Sequence, residues 1–200
     1  MTQPGLLIVF SGPSGVGKSK VLEGAAYQLH NLRKSVSVTT RPPRPGEVDG
    51  QDYHFRSTFE FDQMVARGEL LEWAQYIDHR YGTPRAWVEE RLAQGDDLVL
   101  EIDVQGGMRV RALYPNAVMI FMIPPTLAEL RRRLQGRNTE PDKVVARRLE
   151  AAKGELKIAQ KEYCYIICND RIPEAVEDFV AIIRAEKCRT GRVTLDLNDK

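Results

Sequence analysis

The stretch Gly12-Pro13-Ser14-Gly15-Val16-Gly17-Lys18-Ser19 has little that can fill a core and much that can hold an anion. It fits the pattern G-x-x-x-x-G-K-[ST]. Its glycines let successive backbone N–H groups turn into one concavity, and a helix beginning at Lys18 adds the positive end of its dipole. In this arrangement the Lys18 ammonium reaches the β- and γ-phosphates of a nucleoside triphosphate, and the Ser19 hydroxyl suits Mg²⁺. The flanks agree. Residues 6–10, Leu-Leu-Ile-Val-Phe, read as a buried parallel strand. Residues 18–32 carry Val21, Leu22, Ala25, Ala26 and Leu29 on one helical stripe. A glycine-rich turn that merely caps a helix is the plainer alternative, and the strand–loop–helix setting weakens it. The expected donor is ATP.

A phosphate loop of this kind needs an acid at the end of a neighbouring strand. The run Leu98-Val99-Leu100-Glu101-Ile102-Asp103 supplies Asp103, placed where parallel sheets bind ligands, and Asp103 is expected to hold Mg²⁺ through water. The acceptor side is sought in Arg41-Pro42-Pro43-Arg44-Pro45-Gly46. Three residues of polyproline II make one turn of about 9 Å. Arg41 and Arg44 therefore leave the chain on one side and can converge on a single phosphate. Tyr53 and Tyr81 can add hydroxyl donors. By itself the Pro-Arg segment also reads as a solvated loop or a peptide ligand. Beside a phosphate loop, the phosphate reading leads.

The elements that must position these groups alternate between strand and helix. Strands are expected at residues 36–40, 98–102, 118–123 and 165–168, and helices at 86–93, 126–134, 139–161 (opened by a Thr139-x-x-Asp142 cap) and 174–187. This is an α/β pattern with a parallel sheet flanked by helices. The 200 residues suffice for one domain, and a net charge of +1 argues against a nucleic-acid or anionic-membrane surface, so any anion site must be local. Cys164, Cys168 and Cys188 are too few and too sparse for a disulfide framework, and Cys164 and Cys168 are expected to be small buried hydrophobes of a reducing compartment. The apolar N-terminal run is too short for a signal peptide or membrane span, so the chain reads as cytoplasmic. Taken alone, Glu72 reads as an exposed strand residue. His30, His54 and His79 have no evident partners and are given no chemistry.

The chain closely resembles the guanylate kinases. The resemblance is carried by residues 35–47, Ser-Val-Ser-Val-Thr-Thr-Arg-Pro-Pro-Arg-Pro-Gly-Glu, and 50–55, Gly-Gln-Asp-Tyr-His-Phe. It continues in Leu71-Glu72-Trp73-Ala74, Tyr81-Gly82-Thr83-Pro84, Glu101-Ile102-Asp103-Val104-Gln105-Gly106 and Asn169-Asp170, and spans roughly residues 5 to 188. It implies a single domain in three parts: a core (1–36, 97–125 and 161–200), a mixed α+β GMP-binding insertion (37–96) and a helical lid (126–160). It also implies Mg²⁺-dependent phosphoryl transfer from ATP to GMP, small-molecule nucleotides rather than nucleic acid or membrane as partners, and a monomer or homodimer. By resemblance, Arg41, Arg44, Tyr53 and Tyr81 bind the GMP phosphate. Ser37, Glu72, Thr83 and Asp103 surround the guanine, Asn169 meets the adenine, and Arg137 and Arg148 reach the transferring phosphate. An ionised Glu72 offers two acceptors to the two neighbouring donors of guanine, N1–H and the 2-amino group.

Two other readings stay open at this point. One is a phosphate-loop kinase with another phosphorylated acceptor, against which the Glu72 and Thr83 pair argues. The other is a non-catalytic module of guanylate kinase type, against which the intact Lys18-Ser19 pair argues. The sequence departs from the usual family pattern at Lys20, Asn138 and Arg171 and in a short Ile77-Asp78-His79-Arg80 loop.

Overall fold

Alternation in the first strand sets the architecture. In β1 (Leu7–Ser11), Ile8 and Phe10 join one apolar cluster while Leu7 and Val9 join another, and all four are buried. A strand with no wet face belongs at the centre of a covered sheet. The computed structural model, which describes residues 5–76, 78–135 and 142–193, places it there. Five parallel strands run in the order β2 (Leu32–Lys34), β7 (Asp97–Glu101), β1, β8 (Val118–Ile123) and β9 (Tyr165–Cys168).

On one face, Leu6, Ile8 and Phe10 pack against Val21, Leu22 and Ala25 of α1 (Lys18–Ala26) and Val176, Phe179 and Ile183 of α7 (Ile172–Lys187). The Phe10 and Phe179 rings stand 5.0 Å apart. On the other face, Leu7, Val9, Leu98 and Leu100 meet Val88 of α3 (Arg85–Ala93) and Val110 of α4 (Val104–Leu113). Each such side chain contributes about 2 kcal/mol on burial. These two faces, and not the glycine loop, hold the fold.

A second sheet takes the order β4 (His54–Phe55), β3 (Val38–Thr39), β6 (His79–Pro84), β5 (Leu70–Tyr76), with β3 and β4 parallel and the other pairings antiparallel. Helix α2 (Thr58–Ala66) opens with a reciprocal capping box between Ser57 and Glu60 and lays Phe61 against Val38 and Leu70. Helices α5 (Leu127–Gln135) and α6 (Asp142–Glu162) share a small core of Leu130, Leu134, Val145, Leu149 and Ala152. Further along, α6 packs Ala159 on Val104 and Phe121 of the main sheet layer.

Three expectations are corrected, and one helix is added. Helix α1 stops at Ala26 instead of residue 32, because Leu32 is drawn into β2, where it pairs with Asp97. The strand expected at 36–40 is two different strands. The chain leaves the first sheet at Ser35, whose N–H donates to Val99 O, and enters the second at Val38. Helix α4 was not among the expected elements. A Cβ on Gly107 would fall 2.4 Å from the Tyr163 hydroxyl, so the glycine there permits close packing. Cys168 is exposed because β9 is an edge strand with its second and fourth residues outward; Cys164, just before the strand, shares that parity and is exposed too, as is Cys188 at the C-terminal cap of α7. The cap at Thr139 lies outside the described residues. Among the described residues no helix is long and apolar enough to cross a membrane.

Candidate active site

The loop between β1 and α1 is shaped by what cannot be there. A Cβ on Gly12 would lie 2.4 Å from Met122 O, and Gly17 caps α1 with φ 103°. The Lys18 Nζ donates to Gly12 O at 2.6 Å and to Pro13 O at 3.3 Å, folded back along its own loop. Burial lowers the Lys18 pKa, opposed by the carboxylates of Glu101 and Glu155. Around the loop, the Val16 carbonyl accepts from Asn169 Nδ2 at 2.6 Å and Arg133 Nη1 at 3.4 Å, while Arg133 Nη2 donates to Asn169 O at 3.1 Å. Arg148 Nη1 donates to the Ser14 hydroxyl at 2.7 Å, so both α5 and α6 touch the loop.

The acid beside Ser19 is Glu101. The Ser19 hydroxyl donates toward Glu101 Oε1 and Oε2 at 3.3 and 3.4 Å, and Lys34 Nζ lies 2.7 Å from Oε2. Burial would raise the Glu101 pKa, but the charges of Lys34 and Lys18 outweigh it and hold the carboxyl below its usual range. Asp103 instead caps α4, its Oδ1 accepting from Gly106 N at 2.8 Å. Asp103 still lines the cavity, but the strand-end position nearest the loop belongs to Glu101. One hydroxyl and one carboxylate suit a hard cation that keeps its waters and takes phosphate oxygens.

Opposite the loop, the second sheet builds a polar wall. Arg41 is 9% exposed, with Nη1 donating to Pro42 O at 2.7 Å and Nη2 to Glu47 Oε1 at 2.8 Å. The other Glu47 oxygen accepts from Arg44 N at 2.7 Å, so one carboxylate orders both arginine positions. The Arg41 guanidinium stands 5.3 Å from the centre of the Tyr53 ring, which lies 6.0 Å from that of Tyr81. Deeper in, Glu72 is 5% exposed, and its Oε1 accepts from the fully buried Thr83 hydroxyl at 2.7 Å. Burial, with Asp103 adding to it, pushes the Glu72 pKa up to about 7 against the hydrogen bond from Thr83 and the charge of Arg109. Strand pairing explains the burial: Glu72 sits opposite Thr83 across β5 and β6, on the face turned to α4. Glycine loop and polar wall line one cavity of about 800 Å³, which also receives Ser37, Arg44, Arg148 and Glu155.

This geometry agrees with what the chain is similar to. The sequence model described as guanylate kinase matches residues 5–186. The guanylate kinase of Streptococcus thermophilus is 49% identical over 96% of this chain and 92% of its own length. That of Halalkalibacterium halodurans is 47% identical over 96% and 93%.

The chain belongs to the guanylate kinase family.

A crystal structure of guanylate kinase from Anaplasma phagocytophilum superposes with a TM-score of 0.78 at 36% identity, covering 95% of this chain and 90% of that one. Within this member of the guanylate kinase family, the residues expected from the sequence fall in three groups. Gly12, Ser14, Lys18, Ser37, Arg41, Arg44, Tyr53, Glu72, Tyr81, Asp103 and Arg148 line the shared cavity. Pro13, Gly15, Val16, Gly17, Ser19, Thr83 and Asn169 stand behind or beside that lining, and Asn169 is 1% exposed with its amide nitrogen spent on Val16. Arg137 lies outside the described residues. Sequence reasoning missed Glu101 and Glu47, which only their partners reveal. It also missed Arg133: its Nε donates to Glu129 Oε1 at 2.7 Å on its own helix, but the guanidinium also reaches the donor loop.

Proposed function

We propose that this chain transfers the γ-phosphoryl group of ATP to GMP, and to dGMP, giving ADP and GDP. The observation that carries the reading is a glycine phosphate loop and a buried Glu72–Thr83 pair lining one cavity in a chain of the guanylate kinase family. The main sheet with α1 and α7 serves as the core, residues 37–96 as the acceptor insertion, and α5 with α6 as the lid.

The roles follow from the donors and acceptors available. Backbone N–H groups of residues 14–19 and the Lys18 ammonium hold the triphosphate, and Asn169 and Arg133 brace the loop through Val16. Ser19, Glu101 and Asp103 are the donors suited to Mg²⁺, which when bound neutralises phosphate charge. Arg41, Arg44, Tyr53 and Tyr81 take the GMP phosphate, while Glu72, Thr83, Ser37 and Asp103 read the guanine edge. The attacking phosphate has a second pKa of about 6 and is already a dianion at neutral pH, so no protein base is required. Catalysis then consists of alignment and charge stabilisation by Lys18, Arg148 and Arg137, with lid closure excluding water.

A coupled assay of ADP release with GMP, dGMP, AMP, CMP and UMP tests the reading. GMP and dGMP are expected to turn over at least about 10³-fold faster than AMP at equal concentration. Equal turnover with AMP would sink the guanine assignment. A second expectation concerns α4. A Cβ on Gly106 would lie 2.6 Å from Glu72 Oε2. Gly106→Ala is therefore expected to push the carboxylate off its place and raise the KM for GMP about tenfold or more, with the KM for ATP little changed. An unchanged KM for GMP would show that Glu72 has room to move without loss.

A further inference from the structure

Lys34, the last residue of β2, has no role in the reading above beyond its contact with Glu101. Its side chain is half-exposed and lines the shared cavity together with Lys18, Arg41 and Arg44. Its Nζ is 2.7 Å from Glu101, the carboxylate that meets Ser19, which puts the ammonium at the donor edge. Its charge is also felt across the cavity. Burial lowers the proton affinity of Lys18 and Lys34 lowers it further, while at Tyr53, whose pKa burial raises, Lys34 and Arg41 pull the other way. Lys34 thus lines the cavity that the donor loop and the acceptor wall share. The adjoining wall is also polar: Ser35 is 4% exposed, lines the same cavity, and its Oγ has no hydrogen-bond partner among the described residues. A buried hydroxyl without a partner marks a wall built for a polar ligand.

We propose that Lys34 is a further catalytic residue, a swinging cation that contacts the phosphoryl group while it lies between donor and acceptor. The inference rests on the phosphoryl transfer proposed above. In that step an oxygen of the GMP phosphate forms a bond to the γ-phosphorus. The bond from that phosphorus to the β–γ bridging oxygen breaks, and its electron pair leaves on ADP. No proton moves. The Lys34 side chain is half-exposed while that of Glu101 is only 18% exposed, and the four-carbon stem of Lys34 lets the ammonium turn from Glu101 to a group of higher charge without moving β2. A cation that meets the phosphoryl group only at the junction stabilises the transition state more than either substrate.

The test uses a ligand that spans both sites: adenosine and guanosine joined 5′ to 5′ through five phosphates, titrated by calorimetry into the full chain. Lys34→Met is expected to bind it about tenfold or more weakly than the unaltered protein, with ATP alone and GMP alone each within about threefold. The kcat is expected to fall by a like factor with both KM values held, and Lys34→Arg to recover most of the loss. Unaltered affinity for the joined ligand overturns the proposal. So does an equal loss for ATP alone or GMP alone, because Lys34 would then serve one site, as a positioning residue through Glu101 or otherwise. Lys34→Gln repeats the measurement should the thermal midpoint of Lys34→Met depart from that of the unaltered chain. Absence of GMP-dependent turnover in the unaltered protein counts against the proposed function; turnover there with an unaffected Lys34→Met counts against this inference alone.

Discussion

Glu72→Gln is expected to lower kcat/KM for GMP by on the order of 10³-fold and, at pH 8, to make the protein more stable. Both effects arise from one buried carboxylate. Gln keeps an oxygen for the Thr83 hydroxyl, so the local hydrogen bond survives. It replaces the other acceptor by an NH₂, which faces a guanine donor with a second donor. The stability effect follows from the raised pKa of about 7, caused first by burial. A carboxyl that binds its proton more tightly folded than unfolded costs nothing below the unfolded pKa. Its penalty grows as pH rises from about 4.5 to about 7 and is constant above that. The full penalty is about 3 kcal/mol. Urea unfolding at pH 8 and pH 4.5 therefore separates the variants at the higher pH and brings them together at the lower. The same proton governs binding: kcat/KM for GMP in the unaltered enzyme is expected to fall as pH drops below about 7. A flat profile from pH 8 to pH 6, with no stability gain in Glu72→Gln, would mean that Glu72 is ionised throughout and already neutralised by another group.

Lys18→Ala is expected to reduce phosphoryl transfer by on the order of 10³-fold while leaving GMP binding measurable by calorimetry. The ammonium lies 2.6 Å from Gly12 O, at the mouth of the loop, and its proposed role is toward the donor phosphates and not the Arg41–Tyr53 wall. Because the same lysine ties the loop to itself, Lys18→Met is the companion variant: it keeps the stem and removes only the charge. Comparable loss in both assigns the effect to charge. Retained turnover in Lys18→Met would remove Lys18 from the chemistry.

Much of this arrangement was legible in the sequence because it is local or strongly apolar. Strands 118–123 and 165–168 were read to the residue, since continuous apolar runs between turns have few other uses. The glycine loop was legible because its backbone shape is declared by its own glycines, Gly12, Gly15 and Gly17, all at positive φ. What stayed hidden depends on pairing between distant segments. Nothing in Ser35-Val36-Ser37 announces that the chain changes sheets there. Glu101 and Asp103 are two residues apart, and only the register of β7 against β1 decides which faces Ser19. Glu72 looks like surface until β6 and α4 cover it. Arg133 is one of three consecutive arginines, and only the approach of Val16 distinguishes it from its neighbours.

The clamp formed by Glu47 has a consequence for timing. With two of its N–H groups already engaged and its neighbour Arg44 tied by the main chain, the Arg41 fork stands aimed before any anion arrives. An arriving dianion need not recruit a wandering side chain, so little freedom is lost at that moment. In the proposed reaction, a fork held this way leaves acceptor association limited by encounter more than by the ordering of side chains.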